Sequence, residues 1–196
     1  SIKLFEECKI ALNIKSTPVL IESSVIFSPM AAGTLRPHVI LPTGIITELS
    51  QAKLRFILLH ELAHLKRNDI YVNWIITLLQ ILHWFNPLIW YAFYQMRADR
   101  ELACDAKVLS VLKPDEYKSY GAAIISLLER FSYPVYDYTV AGFARGKSHI
   151  KQRMARIAGY KKSTLAGFVW GISLFLLMGC LALTNAKGIT GPVREE

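Results

Sequence analysis

The sequence predicts an α+β fold, mainly helical, with a small β region near its N-terminus and one C-terminal transmembrane helix. Three observations predict it. Residues 18–42, PVLIESSVIFSPMAAGTLRPHVILP, place Val19, Ile21, Val25, Ile26, Val39 and Ile40 between the turn formers Pro29, Gly33 and Pro37, the pattern of two or three short strands. From residue 50 onward apolar residues recur at helical spacing, first at Leu54, Ile57, Leu58, Leu62 and Leu65. Residues 165–183, LAGFVWGISLFLLMGCLAL, then run 19 positions without a charge. As a helix that is about 28 Å, close to the ~30 Å hydrocarbon core of a bilayer.

Composition agrees. The 196 residues suffice for one domain or one domain plus an appendage. Hydrophobic residues make up 53% and charged residues 19%, below the ~25% of an average soluble domain, and mean hydropathy is positive. The net charge of +8 is uneven: no acidic residue lies between Thr139 and Gly191, and Arg145, Lys147, Lys151, Arg153, Arg156, Lys161 and Lys162 crowd one stretch. Because this stretch abuts the uncharged run, it is expected to lie on the cytoplasmic side of a membrane, against anionic lipid heads. Direct nucleic acid binding is not expected. The three cysteines follow no regular spacing and are read as reduced thiols of a cytosol-facing protein. The opening residues, SIKLFEECKI, contain no cleavable signal peptide and no initiator Met, so the chain is read as a piece of something longer.

The elements follow in order. Residues 1–14 predict a short amphipathic helix, ahead of the strand region. Thr43 or Ser50 can cap helices, and SQAKLRFILLHELAHLKRND then carries the helical spacing. The apolar run 70–84 is short for a membrane span and is expected to form a buried or membrane-surface hairpin. Asn86 and Pro87 supply the cap and first turn of a helix reaching about Ser110. Pro114 breaks the chain before a helix at 115–131. Residues 133–148 read as a linker, and HIKQRMARIAGYKK leads into the membrane helix. The resulting division is a cytosolic domain at 1–137, a linker and basic juxtamembrane segment at 138–163, a transmembrane helix at 164–184 and a tail at 185–196.

The chemistry sits in ILLHELAHLKRND, residues 57–69. His60 and His64, four apart on a helix, share a face and can reach one ion. Zinc suits imidazole nitrogens, and a catalytic zinc site keeps one position open to water. Glu61, at the edge of that face, can take that water's proton as general base, while the ion polarises a scissile carbonyl. His-Glu-x-x-His is a metalloprotease signature. A third ligand is needed, and the returning helix offers Glu101 and Asp105, also four apart. Glu101 as ligand with Asp105 accepting an imidazole N–H is favoured, and the reverse remains open. His83, His38 and His149 are read as core, interfacial or surface residues, and Cys104 as lying off the Glu101 direction. LMGC lies too deep for a lipoprotein box, and GKS at 146–148 lacks the glycine spacing of a phosphate loop.

GTLRPHVILPTGI, FILLHELAHLKRND, LHWFNPLIWYAFYQMRADRELACDAKVL and KSHIKQRMARIAGY together resemble the BlaR/MecR family of membrane zinc peptidases, the transducers of β-lactam signals and their relatives. The resemblance covers residues 21–182. It implies a gluzincin with one Zn2+ on His60, His64 and Glu101, Glu61 as catalytic base and Asp105 following the ligand. It also implies a peptidase domain facing the cytoplasm at the cell membrane, tied to a final membrane helix. In that family a penicillin-binding sensor triggers the zinc site, leading to self-cleavage before the last membrane helix and loss of a BlaI/MecI-type DNA-binding repressor. The corresponding linker is 138–157, so self-cleavage is expected around Gly142, Phe143, Ala144 and Arg145. The strand region 29–41 is expected to align a peptide. The chain is read either as a peptidase fragment, with the sensor or upstream membrane helices expected in the full-length protein, or as part of a relative that senses something else. Antibiotic sensing therefore rests on the resemblance alone. The competing readings are a membrane quality-control zinc protease and a signalling module stapled by zinc without catalysis. Glu61 argues against the latter, since a structural site needs no base.

Overall fold

The computed structural model describes residues 1–131, 140–161, 170–174 and 176–180. The first compact unit, Ser1–Tyr160, is built around helix α3, Gln51–Lys66. Ser50 starts it by accepting a hydrogen bond from the Lys53 N–H. Leu54, Phe56, Ile57, Leu58, Leu59, Leu62 and Ala63 are all buried, so α3 is covered on every side rather than along one stripe. Its cover comes from α1 (Ile2–Ala11, through Leu4, Phe5 and Cys8), α5 (Pro87–Leu109), α6 (Tyr117–Phe131) and a three-stranded sheet. At roughly 1.5–3 kcal/mol for each large apolar side chain, this burial is what holds the polar residues of α3 in place.

The sheet has the order β1–β3–β2, with β1 (Val19–Ser23) parallel and β2 (Met30–Ala32) antiparallel to β3 (His38–Pro42). Three short strands form, as the turn residues predict. Val39 and Leu41 point into the core, while β2 is an edge strand on the side of α3 that bears the histidines. Gly33 closes the turn after β2 with φ +85°, and a Cβ there would meet the Arg36 carbonyl oxygen at 2.1 Å. Thr43 caps nothing; Gly44, at φ +86°, precedes the short helix α2, Ile45–Glu48.

Asn68, at φ 58°, turns the chain sharply from α3 into α4, Asp69–Leu82. Asn86 then accepts the Leu88 N–H and Pro87 opens α5, as read from NP. The hairpin of α4 and α5 exists, but it is not buried in this chain. Trp74, Ile75, Leu78, Ile81 and Leu82 are exposed, as are Trp84 (73%) and Phe85 (67%) at its tip. A 3₁₀ turn at Pro114–Glu116 leads into α6.

The largest difference from the sequence reading lies in α7, Val140–Ala158, where residues 140–148 were expected to be linker. The stretch is helical, and α7 packs on α5 and α6 with Ile157 buried and Met154 against the core. The basic run concealed an amphipathic helix whose apolar face has a partner. Residues 132–139 lie outside the described residues. In the second unit, Lys161–Glu196, residues 170–174 and 176–180 are helical and exposed. Among the described residues no helix is long and apolar enough to cross a membrane. About half of the run read as a span at 164–184, and all of the tail at 185–196, fall outside them.

Candidate metal centre

The α3 helix places His60 and His64 one turn apart, their rings edge to face with centroids at 5.0 Å. Glu101 on α5 faces both: His60 Nε2 lies 3.4 Å from Glu101 Oε2, and His64 Nε2 lies 3.7 Å from Glu101 Oε1. One ligand atom from each falls within 4.8 Å of the others. Two ligands bound at ~2.05 Å to one ion in tetrahedral geometry sit about 3.3 Å apart, so the observed spacing fits a shared ion. Two imidazoles and one carboxylate also suit zinc in donor type.

The far side of each ring is held. His64 Nδ1 is 2.9 Å from Asp69 Oδ2, which the Asn68 turn folds back onto the end of α3. His60 Nδ1 is 3.0 Å from the Tyr120 hydroxyl and 3.4 Å from Asp105 Oδ1, and Tyr120 donates to that same oxygen at 2.7 Å. With each Nδ1 facing a hydrogen-bond partner, each Nε2 is presented toward Glu101.

Arg153 of α7 completes this layer. Its Nε and Nη2 donate to Asp105 at 2.8 and 2.9 Å, and its Nη1 lies 3.3 Å from Glu101 Oε2. It is 8% exposed.

The electrostatics follow from this packing. Burial alone would lower the His60 pKa, but the bonds to Asp105 and Glu101 and the nearby Glu61 raise it to about 10. Burial would raise Glu101, yet the His60 bond and the charges of His60, His64 and Arg153 bring it to about 2. Asp69, likewise opposed by burial, is brought to about 2 by His64, Cys104 and Arg67. Asp105 is also held below its usual range despite burial, by His60 and Arg153. Carboxylates thus face both imidazoles, a donor arrangement that suits a cation. Glu61 differs: it is 6% exposed, and desolvation raises its pKa against the pull of His60 and His64. The Ala31 N–H of β2 bonds to it, so the catalytic-type carboxylate sits at the open edge of the sheet.

A cleft of about 640 Å³ opens over these groups, with Met30, Ala31, Glu61, Trp74, Ile124 and Leu127 among its walls. Cys104 reaches the outer side of His64, donating to Asp69 Oδ2 at 3.2 Å with its Sγ 3.2 Å from His64 Nδ1. His64, Asp69 and Cys104 form a second group of potential ligands. Burial and Asp69 push that thiol far up, so it serves as a donor rather than a thiolate.

His60, Glu61, His64, Glu101 and Asp105 thus come together. Gly142, Phe143, Ala144 and Arg145 lie in the first turns of α7. Sequence reasoning missed Asp69, Tyr120 and Arg153. Asp69, five residues past His64 beyond a turn-forming Asn, was the findable one. Tyr120 gave no local signal, and Arg153 was hidden among basic neighbours. His38, His83 and His149 stand apart from the cleft, His149 edge-on to Tyr94.

Paired imidazoles, a facing carboxylate and a buried glutamate beneath an open cleft define the class, a helical domain with a candidate metallopeptidase centre. The chain belongs to the BlaR1 peptidase M56 family, whose profile matches residues 1–157, through α7. It is similar to the regulatory protein BlaR1 of Bacillus licheniformis, 32% identical over 166 residues, or 83% of this chain and 27% of that protein. It is similar also to the methicillin resistance mecR1 protein of Staphylococcus aureus strain Mu50, 30% identical over 162 residues (79% and 28%), and to Staphylococcus aureus BlaR1 at 26% over 169 residues (84% and 28%). The chain therefore spans little more than a quarter of the length of these relatives.

Proposed function

We propose that this chain is the zinc endopeptidase portion of a membrane-anchored signal transducer, a gluzincin that cleaves a cytosolic regulator of the BlaI/MecI repressor type, itself, or both. The observation that carries the reading is the convergence of His60 Nε2, His64 Nε2 and Glu101 above buried Glu61. His60, His64 and Glu101 would hold one zinc ion. When bound, zinc supplies Lewis acidity toward a carbonyl and lowers the pKa of water.

The chain's own residues supply the rest. Glu61, its pKa raised by burial, takes a proton from the attacking water and delivers it to the leaving amine. Asp69, and Asp105 with Tyr120, keep both imidazoles aimed inward. The open edge of β2 lies beside Glu61, where an extended peptide can pair with it before reaching the reacting atoms.

The regulatory role comes from the relatives' names, BlaR1 and mecR1. The membrane context draws support from the uncharged run at 165–183, the basic residues ahead of it and the exposed aromatic hairpin tip. These support a peptidase unit facing the cytoplasm and a membrane helix at 164–184. If the chain cuts itself at Gly142–Arg145, the first turns of α7 must unwind, because a protease binds its substrate extended.

Metal analysis beside cleavage assays tests the reading. One zinc per wild-type chain, lost in His60→Ala and Glu101→Ala, and a Glu61→Ala variant that keeps zinc but cuts nothing, are expected. Zinc retained in Glu101→Ala removes the third ligand from the proposal, and mass mapping of cuts outside the linker removes the self-cleavage site.

A further inference from the structure

We propose that Arg153 is a positioning residue for the metal centre, so that the centre is intact only while α7 stays docked. This rests on the zinc-site reading above. Among the described residues of α7, Arg153 reaches the site through side-chain bonds, and it touches two carboxylates at once. Glu101 and Asp105 stand four apart on one face of α5, close enough to repel each other. The guanidinium fork satisfies both: two parallel bonds go to Asp105, and Nη1 goes to Glu101 Oε2.

Each contact orients a ligand. The first is direct, because the Oε2 that Arg153 approaches is also the one 3.4 Å from His60 Nε2. Holding it leaves Oε1 toward His64 and restricts rotation of the carboxylate. The second is a relay. Arg153 fixes Asp105, Asp105 Oδ1 accepts the Tyr120 hydroxyl, and that hydroxyl meets His60 Nδ1 at 3.0 Å. A chain of four side chains thus runs from α7 to the first imidazole. A lysine could match the charge but not the three-point contact.

Ile157 and Met154 seat α7 on the core by apolar contact, with Met154 near Gly121 of α6. Any displacement of α7 that withdraws Arg153 withdraws support from Glu101 and His60 together. This gives the segment leading out of the catalytic unit a physical means of controlling it.

The test uses the full chain in detergent, titrated with zinc against a chromophoric chelator and with Co2+, whose visible bands report ligand geometry. Arg153→Gln is expected to weaken zinc binding about 10–100-fold, the usual effect of losing a group that orients metal ligands, and to shift the Co2+ bands. A folded Arg153→Gln whose affinity falls by less than tenfold, with unchanged bands, overturns the inference. Should Arg153→Gln fail to fold, Arg153→Lys decides. Weaker binding with altered bands supports positioning by the fork, and wild-type values refute it. A wild type that binds neither metal ends the zinc reading itself, whereas metal-binding wild type with indifferent Arg153 variants ends this inference alone.

Discussion

His64 Nδ1 and Asp69 Oδ2 lie 2.9 Å apart across the turn that joins two helices. The carboxylate that aims the second histidine is therefore supplied by the residue that starts the next helix, through the left-handed turn at Asn68. Asp69 is buried and also takes bonds from Cys104 and Arg67, so it is held from three directions.

Asp69→Ala is accordingly expected to reduce zinc affinity by about 10–100-fold and to cost roughly 1.5–3 kcal/mol in folding stability. Chelator competition and denaturant unfolding of the same preparation measure the two effects. Unchanged affinity would mean that His64 keeps its orientation without Asp69.

Glu61→Gln should separate function from stability. The wild-type carboxylate is desolvated, with its pKa raised, so its charged form is unfavourable in the folded chain. The neutral variant is expected to be at least as stable as wild type in thermal unfolding. Peptide cleavage should nonetheless fall by about 10²–10⁴-fold, with zinc content unchanged. A loss of zinc would place Glu61 among the ligands instead.

Zinc binding at pH 7 should release about one proton from the metal-free chain. His60, with its pKa at about 10, carries a proton there, and that proton must leave Nε2 before the nitrogen can bind an ion. Calorimetry in buffers of different ionisation enthalpy reads the number directly. Binding heats independent of buffer would show His60 already neutral.

The metal-free chain should show a matching stability profile. His60 is raised from 6.5 to about 10, so its contribution is complete below pH 6.5 and disappears as pH rises through about 10. Glu101 and Asp69, lowered from 4.5 and 3.8 to about 2, contribute above those values and lose it as pH falls toward 2. Maximum stability is therefore expected between about pH 4.5 and 6.5, measured by urea unfolding in excess chelator. Saturating zinc should extend the plateau upward, adding about 2.7 kcal/mol at 100 times Kd.

Gly33→Ala tests the edge strand. A Cβ at 2.1 Å from the Arg36 carbonyl oxygen, on a residue with φ +85°, cannot be accommodated without moving the turn that ends β2. A stability loss above about 1 kcal/mol and impaired peptide cleavage with normal zinc content are expected. Wild-type cleavage would separate β2 from substrate alignment.

Much was legible in the sequence because the relevant forces are local. Helix periodicity put His60 and His64 on one face with Glu61 at its edge, the NP start put Glu101 and Asp105 on a returning helix, and β-branched runs between Pro and Gly marked the strands. These follow from backbone geometry and side-chain spacing, which nearby residues determine on their own. Tertiary structure decided the rest. Whether residues 140–158 stay linker or fold as a helix depended on an apolar face finding α5 and α6, which local composition does not record. Arg153 looked like one more solvated cation in a basic run. Only docking brings it against Asp105 and Glu101, because a buried guanidinium is tolerated where two carboxylates wait for it, and those lie about fifty residues earlier in the chain.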